Sequence, residues 1–292
     1  MVLTVTSMKG GVGKTTIAAM LSRYIADNRD VRVLIVDMDP QGGVSSILLG
    51  GQIEPPTIYD VLQMEAGGNP SGDLLAEALR RSRYHDRIFV VPAIADLAAL
   101  GYSGYSLDLL RSALENAPLP EDIAIIVDTG SMPALVAQGI AAADAVLVPV
   151  MLSQQTARPT INTLKLALNH RRRRGALIPM GIGKTNWETK ELERWTQKLQ
   201  SSPALVAMGF DVLPGMPYSK IVVRGRWRYG KFPQRFIPPM DAICEFFLDK
   251  PASSIKSLEK EIDREPPRGK IMRERELADI QSSERMTTGA GG

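Results

Sequence analysis

Residues 2–6 form a short run rich in β-branched side chains, and residues 14–25 place Ile17, Met20, Leu21 and Ile25 at helical spacing. The first stretch predicts a strand and the second an amphipathic helix. Residues 33–36 are wholly apolar, as are residues 123–127, which end in Asp128. Continuous apolar runs of this length suit parallel strands covered on both faces. A helical stretch runs from Ile161 into four consecutive arginines, Arg171, Arg172, Arg173 and Arg174. Further on, Ile243, Cys244, Phe246 and Phe247 fall on one apolar helical pattern. Strands alternate with helices from residue 2 to about residue 215 without a polar linker, which is the signature of the α/β class. One domain over residues 1–249 is therefore expected, followed by a tail over residues 250–292. That tail is rich in charge, Ser, Pro and Gly, is broken by Pro266-Pro267, and reads as disordered.

Between the first strand and the first helix lies Lys9-Gly10-Gly11-Val12-Gly13-Lys14-Thr15-Thr16. A strand that must turn sharply into a helix with its N–H groups facing inward needs glycine for the dihedrals. Those N–H groups and the helix N-terminus make an anion site. Lys14 would reach the β- and γ-phosphates of a nucleotide, and the Thr15 hydroxyl would hold Mg²⁺. The general phosphate-loop pattern wants glycine where this chain has Met8.

The second apolar run leads into Asp37-Met38-Asp39-Pro40-Gln41-Gly42. Carboxylates two residues apart face the same side while a strand continues. At the C-terminal end of a parallel strand they stand where doubly wound folds bind ligands. One can steady Mg²⁺ or its water shell and the other can orient an attacking water, or either can cap the next helix. Asp128, closing the third run, stands where an aspartate holds Mg²⁺ through water.

Lys-Gly-Gly-Val-Gly-Lys-Thr-Thr resembles the deviant Walker A box of the ParA/MinD superfamily, and Asp-x-Asp-Pro-Gln-Gly resembles the switch I region of its ParA-type ATPases. The resemblance implies a P-loop NTPase fold, a doubly wound and mostly parallel sheet with helices on both faces. It implies that Lys9 crosses a dimer interface to the partner's ATP, that Asp39 serves hydrolysis and that Asp37 supports the Mg²⁺ network. It extends to residues 57–62, 88–92, 95–100 and 145–150, being dense to residue 160 and looser from 161 to 248. Relatives often continue Asp-x-Pro-Pro after the Walker B aspartate, whereas this chain reads Asp128-Thr129-Gly130-Ser131-Met132-Pro133. The loop 213–217, with Pro214 and Met216, occupies the place where the family holds adenine, and Asn186 is a further purine candidate.

A single cysteine, Cys244, excludes disulfides within the chain. It also excludes relatives that bridge their dimers with an iron–sulfur cluster, which takes two or more cysteines per chain. His85 and His170 lie far apart with no metal-binding cluster around them. No apolar run is long enough to span a membrane and the first strand starts at once, so a cytoplasmic protein without a signal peptide is expected. A membrane-inserting tail helix of MinD type is disfavoured, because Glu274, Glu276 and Asp279 dilute the face formed by Ile271, Met272, Leu277 and Ile280.

Net charge is only +3, but the basic residues are clustered. Lys220, Arg224, Arg226, Arg228, Lys231 and Arg235 interleave with Tyr218, Trp227, Tyr229 and Phe232. Such clusters suit contacts to DNA phosphates, which carry no sequence information. Together with the resemblance they imply an ATP- and Mg²⁺-dependent ATPase that dimerises on ATP, coats nucleoid DNA and is reset by an adaptor protein that stimulates hydrolysis. Its cargo would be a plasmid, a chromosome or an organelle. The alternatives are a MinD-like membrane-positioning ATPase, a P-loop ligase acting on a small molecule, and a regulatory protein switched by ATP.

Overall fold

The structure is a computed structural model and describes residues 1–248 apart from residues 103, 170–173, 184, 208, 224 and 229–230. The expectations placed on the tail, on His170, on Arg171, Arg172 and Arg173, and on Arg224 and Tyr229 lie outside the described residues.

The strands are β1 (Val2–Val5), β2 (Arg32–Met38), β3 (Arg80–Arg81), β4 (Ile88–Val91), β5 (Ile123–Thr129), β6 (Ala145–Met151), β7 (Arg174–Ile182), β8 (Phe210–Val212) and β9 (Met216–Pro217). They form one sheet in the order β3-β4-β2-β5-β1-β6-β7-β8, with β9 also on β7. Every pairing is parallel except that of β3 with β4, as expected of a doubly wound fold. The helices are α1 (Lys14–Asn28), α2 (Gly43–Leu48), α3 (Ile58–Ala66), α4 (Gly72–Glu77), α5 (Leu109–Asn116), α6 (Pro133–Ala142), α7 (Gln154–Asn169), α8 (Asn186–Gln200), α9 (Pro203–Ala207), α10 (Lys220–Val223) and α11 (Ile237–Phe247).

Alternation along the central strands divides the core. Val33, Ile35 and Ile126 face a layer built from α1, α2 and α11. Leu34, Val36, Met38, Ile125 and Val127 face α3, α5 and α6. Val146, Val148 and Val150 pack with α6, α7 and α8. Each fully buried Leu, Ile or Val side chain contributes about 1.5–3 kcal/mol by leaving water. Both faces are therefore held by the same strands, which is why 33–36 and 123–127 read as unbroken apolar runs. The same alternation sends Asp37 and Asp128 to the α1 side, one residue pair beyond the core.

Candidate functional site

Strand β1 lies between β5 and β6, so the loop that leaves it emerges at the middle of the sheet's C-terminal edge. Thr6 continues the ladder by donating its N–H to the Leu147 carbonyl at 3.0 Å. Met8, where the pattern asks for glycine, donates its N–H to the Thr163 hydroxyl of α7 at 3.0 Å. Among the described residues no side-chain-bearing residue has a positive φ, so Met8 is accommodated without backbone strain. Gly11 and Gly13 do need glycine, with φ of 75° and 93°. A Cβ on Gly13 would also come 2.7 Å from the Met180 methyl. Around Gly10 and Gly11 a Cβ would meet nothing within 4 Å, so this backbone borders open space.

Lys14 opens α1 and is only 6% exposed. Its ammonium donates to the Lys9 carbonyl at 3.1 Å. Burial lowers its pKa, and the carboxylates of Asp128 and Asp39 oppose that shift. The first turn of α1 carries no acidic residue of its own to satisfy its N–H groups and dipole. Val12 is buried, while Thr15 and Thr16 are half-buried. Lys9 is half-buried as well, and its ammonium has no hydrogen bond or ion pair among the described residues.

Asp37 and Asp128 are paired directly across β2 and β5. Asp37 is fully engaged. One oxygen accepts the Asp39 N–H at 3.1 Å, and the other accepts the Ser45 N–H at 2.9 Å and the Ser45 hydroxyl at 2.7 Å. Burial nevertheless raises its pKa to about 6. Asp128 is fully buried, and among the described residues neither of its oxygens makes a hydrogen bond of full geometry, the Thr15 hydroxyl being a neighbouring donor. Burial pushes its pKa well above 3.8 and the neighbouring Asp37 adds to that, while the Thr15 hydroxyl and Lys14 pull the other way. Asp39 lies just past β2, half-buried, with one oxygen accepting the Gln41 N–H at 3.0 Å. A Cβ on Gly130 would sit 3.0 Å from that same oxygen. The Gly130 N–H donates to the Met38 carbonyl at 3.2 Å. The departure from Asp-x-Pro-Pro thus lets Asp39 approach the loop after β5.

A buried carboxylate without a partner is rare, because an unpaired charge or polar group is expensive away from water. Asp128 beside Thr15 and Lys14 fits a magnesium ion carried by a triphosphate. The glycine backbone and the start of α1 fit the phosphates. Asp37, with both oxygens taken, fits a supporting role. Sequence reasoning missed Ser45, which ties Asp37 to α2, and Thr163, which fixes the loop's entry. It also missed Gly43, whose Cβ would lie 3.1 Å from the Thr15 methyl. A serine three residues past Gly42 was the visible signal for the first, but the other two depend on elements distant in sequence.

The remaining candidates disperse. Lys220, Lys231 and Arg235 are exposed. Arg228, expected among the DNA contacts, instead donates to the Gly225 carbonyl at 3.1 Å and the Ile47 carbonyl at 3.3 Å, and stacks over Tyr84. Arg226 opens the single 3-10 turn that carries Arg228. Two of the interleaved aromatics are core: Trp227 is 3% exposed, and Phe232 packs on Tyr24. In the loop leading to β9, Pro214 is exposed, whereas Met216 belongs to the core and is 1% exposed. Any side-chain contact to a base there falls to Pro214. Asn186 begins α8 behind the Thr185–Glu188 capping box. Arg174 places its guanidinium over the Phe246 ring.

A parallel sheet with a glycine loop entering α1 at its centre, and carboxylates at the ends of two adjacent strands, defines a P-loop NTPase fold. Residues 1–173 match the AAA_31 family, described as an AAA domain. That match covers more than half of the chain, which therefore belongs to this family and lies within the ParA/MinD superfamily. The chain is 36% identical over 156 residues to the chromosome partitioning protein ParA of Caulobacter vibrioides, across 51% of this chain and 55% of that protein. It is 29% identical over 225 residues to the maintenance of carboxysome distribution protein A of Synechococcus elongatus, across 73% of this chain and 85% of that one. The chain thus spans only about half the length of the first of these curated relatives. Its fold matches that of a Cyanothece McdA variant solved in complex with ATP, with a TM-score of 0.61, 21% identity and coverage of 89% and 96%.

Proposed function

We propose that the protein is a Mg²⁺-dependent ATPase of the partition and positioning type, which dimerises on ATP, binds DNA without sequence preference and is reset when an adaptor protein stimulates hydrolysis. The observation that carries this reading is the contrast between the loop's two lysines. Lys14 is buried within electrostatic reach of Asp128, whereas the half-buried Lys9 has no ammonium partner among the described residues.

In this reading Lys14 leaves the Lys9 carbonyl for the β- and γ-phosphates, beside the N–H groups of residues 10–16. Thr15 and Asp128 would hold the Mg²⁺, and Asp37 keeps the neighbouring loop in place. The metal would supply charge neutralisation for phosphoryl transfer. Asp39 orients a water molecule on the γ-phosphorus and accepts its proton as the bond to the bridging oxygen breaks. Lys9 reaches across a twofold axis to the partner's phosphates, so the closed dimer needs ATP. Lys220, Lys231 and Arg235, the exposed members of the basic cluster, supply phosphate contacts to DNA. Among the described residues no helix is long and apolar enough to cross a membrane. Relatives that act in chromosome partitioning and carboxysome distribution favour a large intracellular cargo.

Size-exclusion chromatography with MgATP tests the cycle. Wild type should dimerise, Lys9→Ala should stay monomeric, and Asp39→Ala should give dimers that persist. DNA retardation should require ATP and disappear at about 250 mM salt. A monomeric elution of both wild type and Asp39→Ala at saturating MgATP would sink the proposal.

A further inference from the structure

Helix α2 is six residues long, begins four residues after Asp39 and is fastened at both ends. At its start the Asp37 carboxylate takes the Ser45 N–H and hydroxyl, and the Ser45 oxygen accepts the Ala93 N–H at 3.1 Å. Gly43, its first residue, packs on Thr15. At its end the Leu48 carbonyl accepts the Arg83 N–H at 3.0 Å and the Ser82 hydroxyl at 3.2 Å. The Ile47 carbonyl accepts from Arg228, which is 181 positions away in the chain. Arg228 is itself locked. Its guanidinium donates to the Gly225 carbonyl and lies over Tyr84, and a Cβ on Gly225 would come 2.8 Å from one of its nitrogens. Arg23 of α1 donates to the carbonyl of the neighbouring Trp227. One short helix therefore connects the carboxylates beside the phosphate loop to the segment that bears Lys220, Lys231 and Arg235.

We propose that Arg228 is a positioning residue that couples the nucleotide state at Asp37, Asp39 and Thr15 to the conformation of the basic segment around it. The proposal rests on the reading of the phosphate loop as an ATP site. When Thr15 takes up a metal with Asp128, any shift of Thr15 acts on Gly43, which has no room for even a Cβ beside it, while Asp37 keeps its hold on Ser45. A helix of less than two turns has no room to absorb that shift internally, so it moves as a unit. Its last carbonyls then move against Arg228. The Ile47 bond is charge-assisted and sits at a helix C-terminus, where a cation is favoured, so breaking or remaking it biases the segment beyond.

Hydrogen–deuterium exchange on the full chain, with and without Mg²⁺ and AMPPNP, tests the coupling. In wild type the triphosphate should protect residues 8–17 and change exchange over residues 220–228 by at least about fivefold, the lower end for allosteric linkage. Arg228→Met keeps the stem over Tyr84 but removes the donors. It should retain protection at residues 8–17 while the response at 220–228 drops below about twofold. Arg228→Lys, with one cationic donor, should restore part of the response, which a purely structural role does not predict. An unchanged response in Arg228→Met, or none at 220–228 in wild type despite protection at 8–17, would overturn the coupling alone. Absence of protection at 8–17 in wild type would remove the ATP site and the coupling together. If Arg228→Met does not fold, Tyr84→Leu replaces it: a weakened response supports the coupling and a wild-type response refutes it.

Discussion

Asp128→Asn should make the protein more stable while it destroys the metal site. The Asp128 carboxyl is fully buried, and burial and the adjacent Asp37 raise its pKa well above 3.8 in the absence of metal. In the unfolded chain it titrates near 3.8. The folded state thus binds more protons than the unfolded state above that pH, and stability must fall as pH rises. The slope is at most about 1.4 kcal/mol per pH unit for one such group, acting between 3.8 and its raised folded-state pKa. Asparagine matches the protonated acid in size and polarity but cannot ionise. The two proteins should therefore be equally stable near pH 4 and diverge as pH rises. At pH 7 the variant should melt higher than wild type, by about 2–4 °C for each kcal/mol gained in a domain of this size. Thermal unfolding followed by circular dichroism between pH 4.5 and about 8, without nucleotide, measures the difference. MgATP should then raise the melting temperature of wild type and leave the variant unmoved. Equal stability at pH 7.5, or a stability difference that does not vary with pH, would refute the assignment of Asp128 as a protonated, unpaired acid.

Gly13→Ala should abolish nucleotide-induced thermal stabilisation and cost about 1–2 kcal/mol in the absence of nucleotide, since φ is 93° and the new Cβ would press on the Met180 methyl at 2.7 Å. Gly72→Ala is a control far from the phosphate loop. Its Cβ would lie 2.2 Å from the Asn116 carbonyl oxygen, so unfolding should occur several kcal/mol earlier, about 1–3 or more, with nucleotide affinity in the folded fraction preserved. Asp60→Ala removes the carboxylate that accepts the Thr57 N–H and hydroxyl at the start of α3 and should cost about 1 kcal/mol in chemical denaturation without altering ATP turnover. MgATP affinity, measured calorimetrically, should rise with pH, by at most about tenfold per unit, over the range in which Asp128 must shed its proton to meet the metal, and a profile flat at every pH above about 4 at which the protein is folded would contradict that linkage.

The parts of this fold that were legible in the sequence are those fixed by local periodicity. The runs at 33–36 and 123–127 became β2 and β5, and the helix expected over residues 14–25 runs to Asn28, because a single face of Ile17, Met20, Leu21 and Ile25 sets its register. The phosphate loop was legible for a different reason. Its glycines answer a backbone requirement that few other sequences meet. What escaped were contacts between remote segments. Met8 departs from the glycine pattern, yet its N–H is satisfied by Thr163, 155 positions away. The aromatics interleaved with the basic cluster did not declare their side in the sequence, and Trp227 and Phe232 pack against α1 and its neighbours. Arg228 had the composition of a phosphate contact and the geometry of a helix cap. Charge clustering in a sequence reports neither which way a guanidinium turns nor which carbonyl stands in front of it.

Local rules are obeyed through most of this chain and broken together at one place. Elsewhere, helix starts such as Thr57 and Thr185 are boxed by Asp60 and Glu188, and Cys244 is packed in an apolar layer. At the end of β1 the chain places two residues with left-handed backbone, a buried lysine whose ammonium is held by a backbone carbonyl, and two buried carboxyls side by side, one with no partner. None of these stabilises the fold, and consistency across levels normally fails only where function requires it. A ligand that brings positive charge to Asp128 and negative charge to Lys14 relieves both defects at once, whereas a bare phosphate relieves only the second and a bare cation only the first. The site is therefore built to prefer the metal and the triphosphate together. In the proposed cycle the same relief would pull Lys14 away from the Lys9 carbonyl, so filling the site and freeing the Lys9 backbone would be a single event.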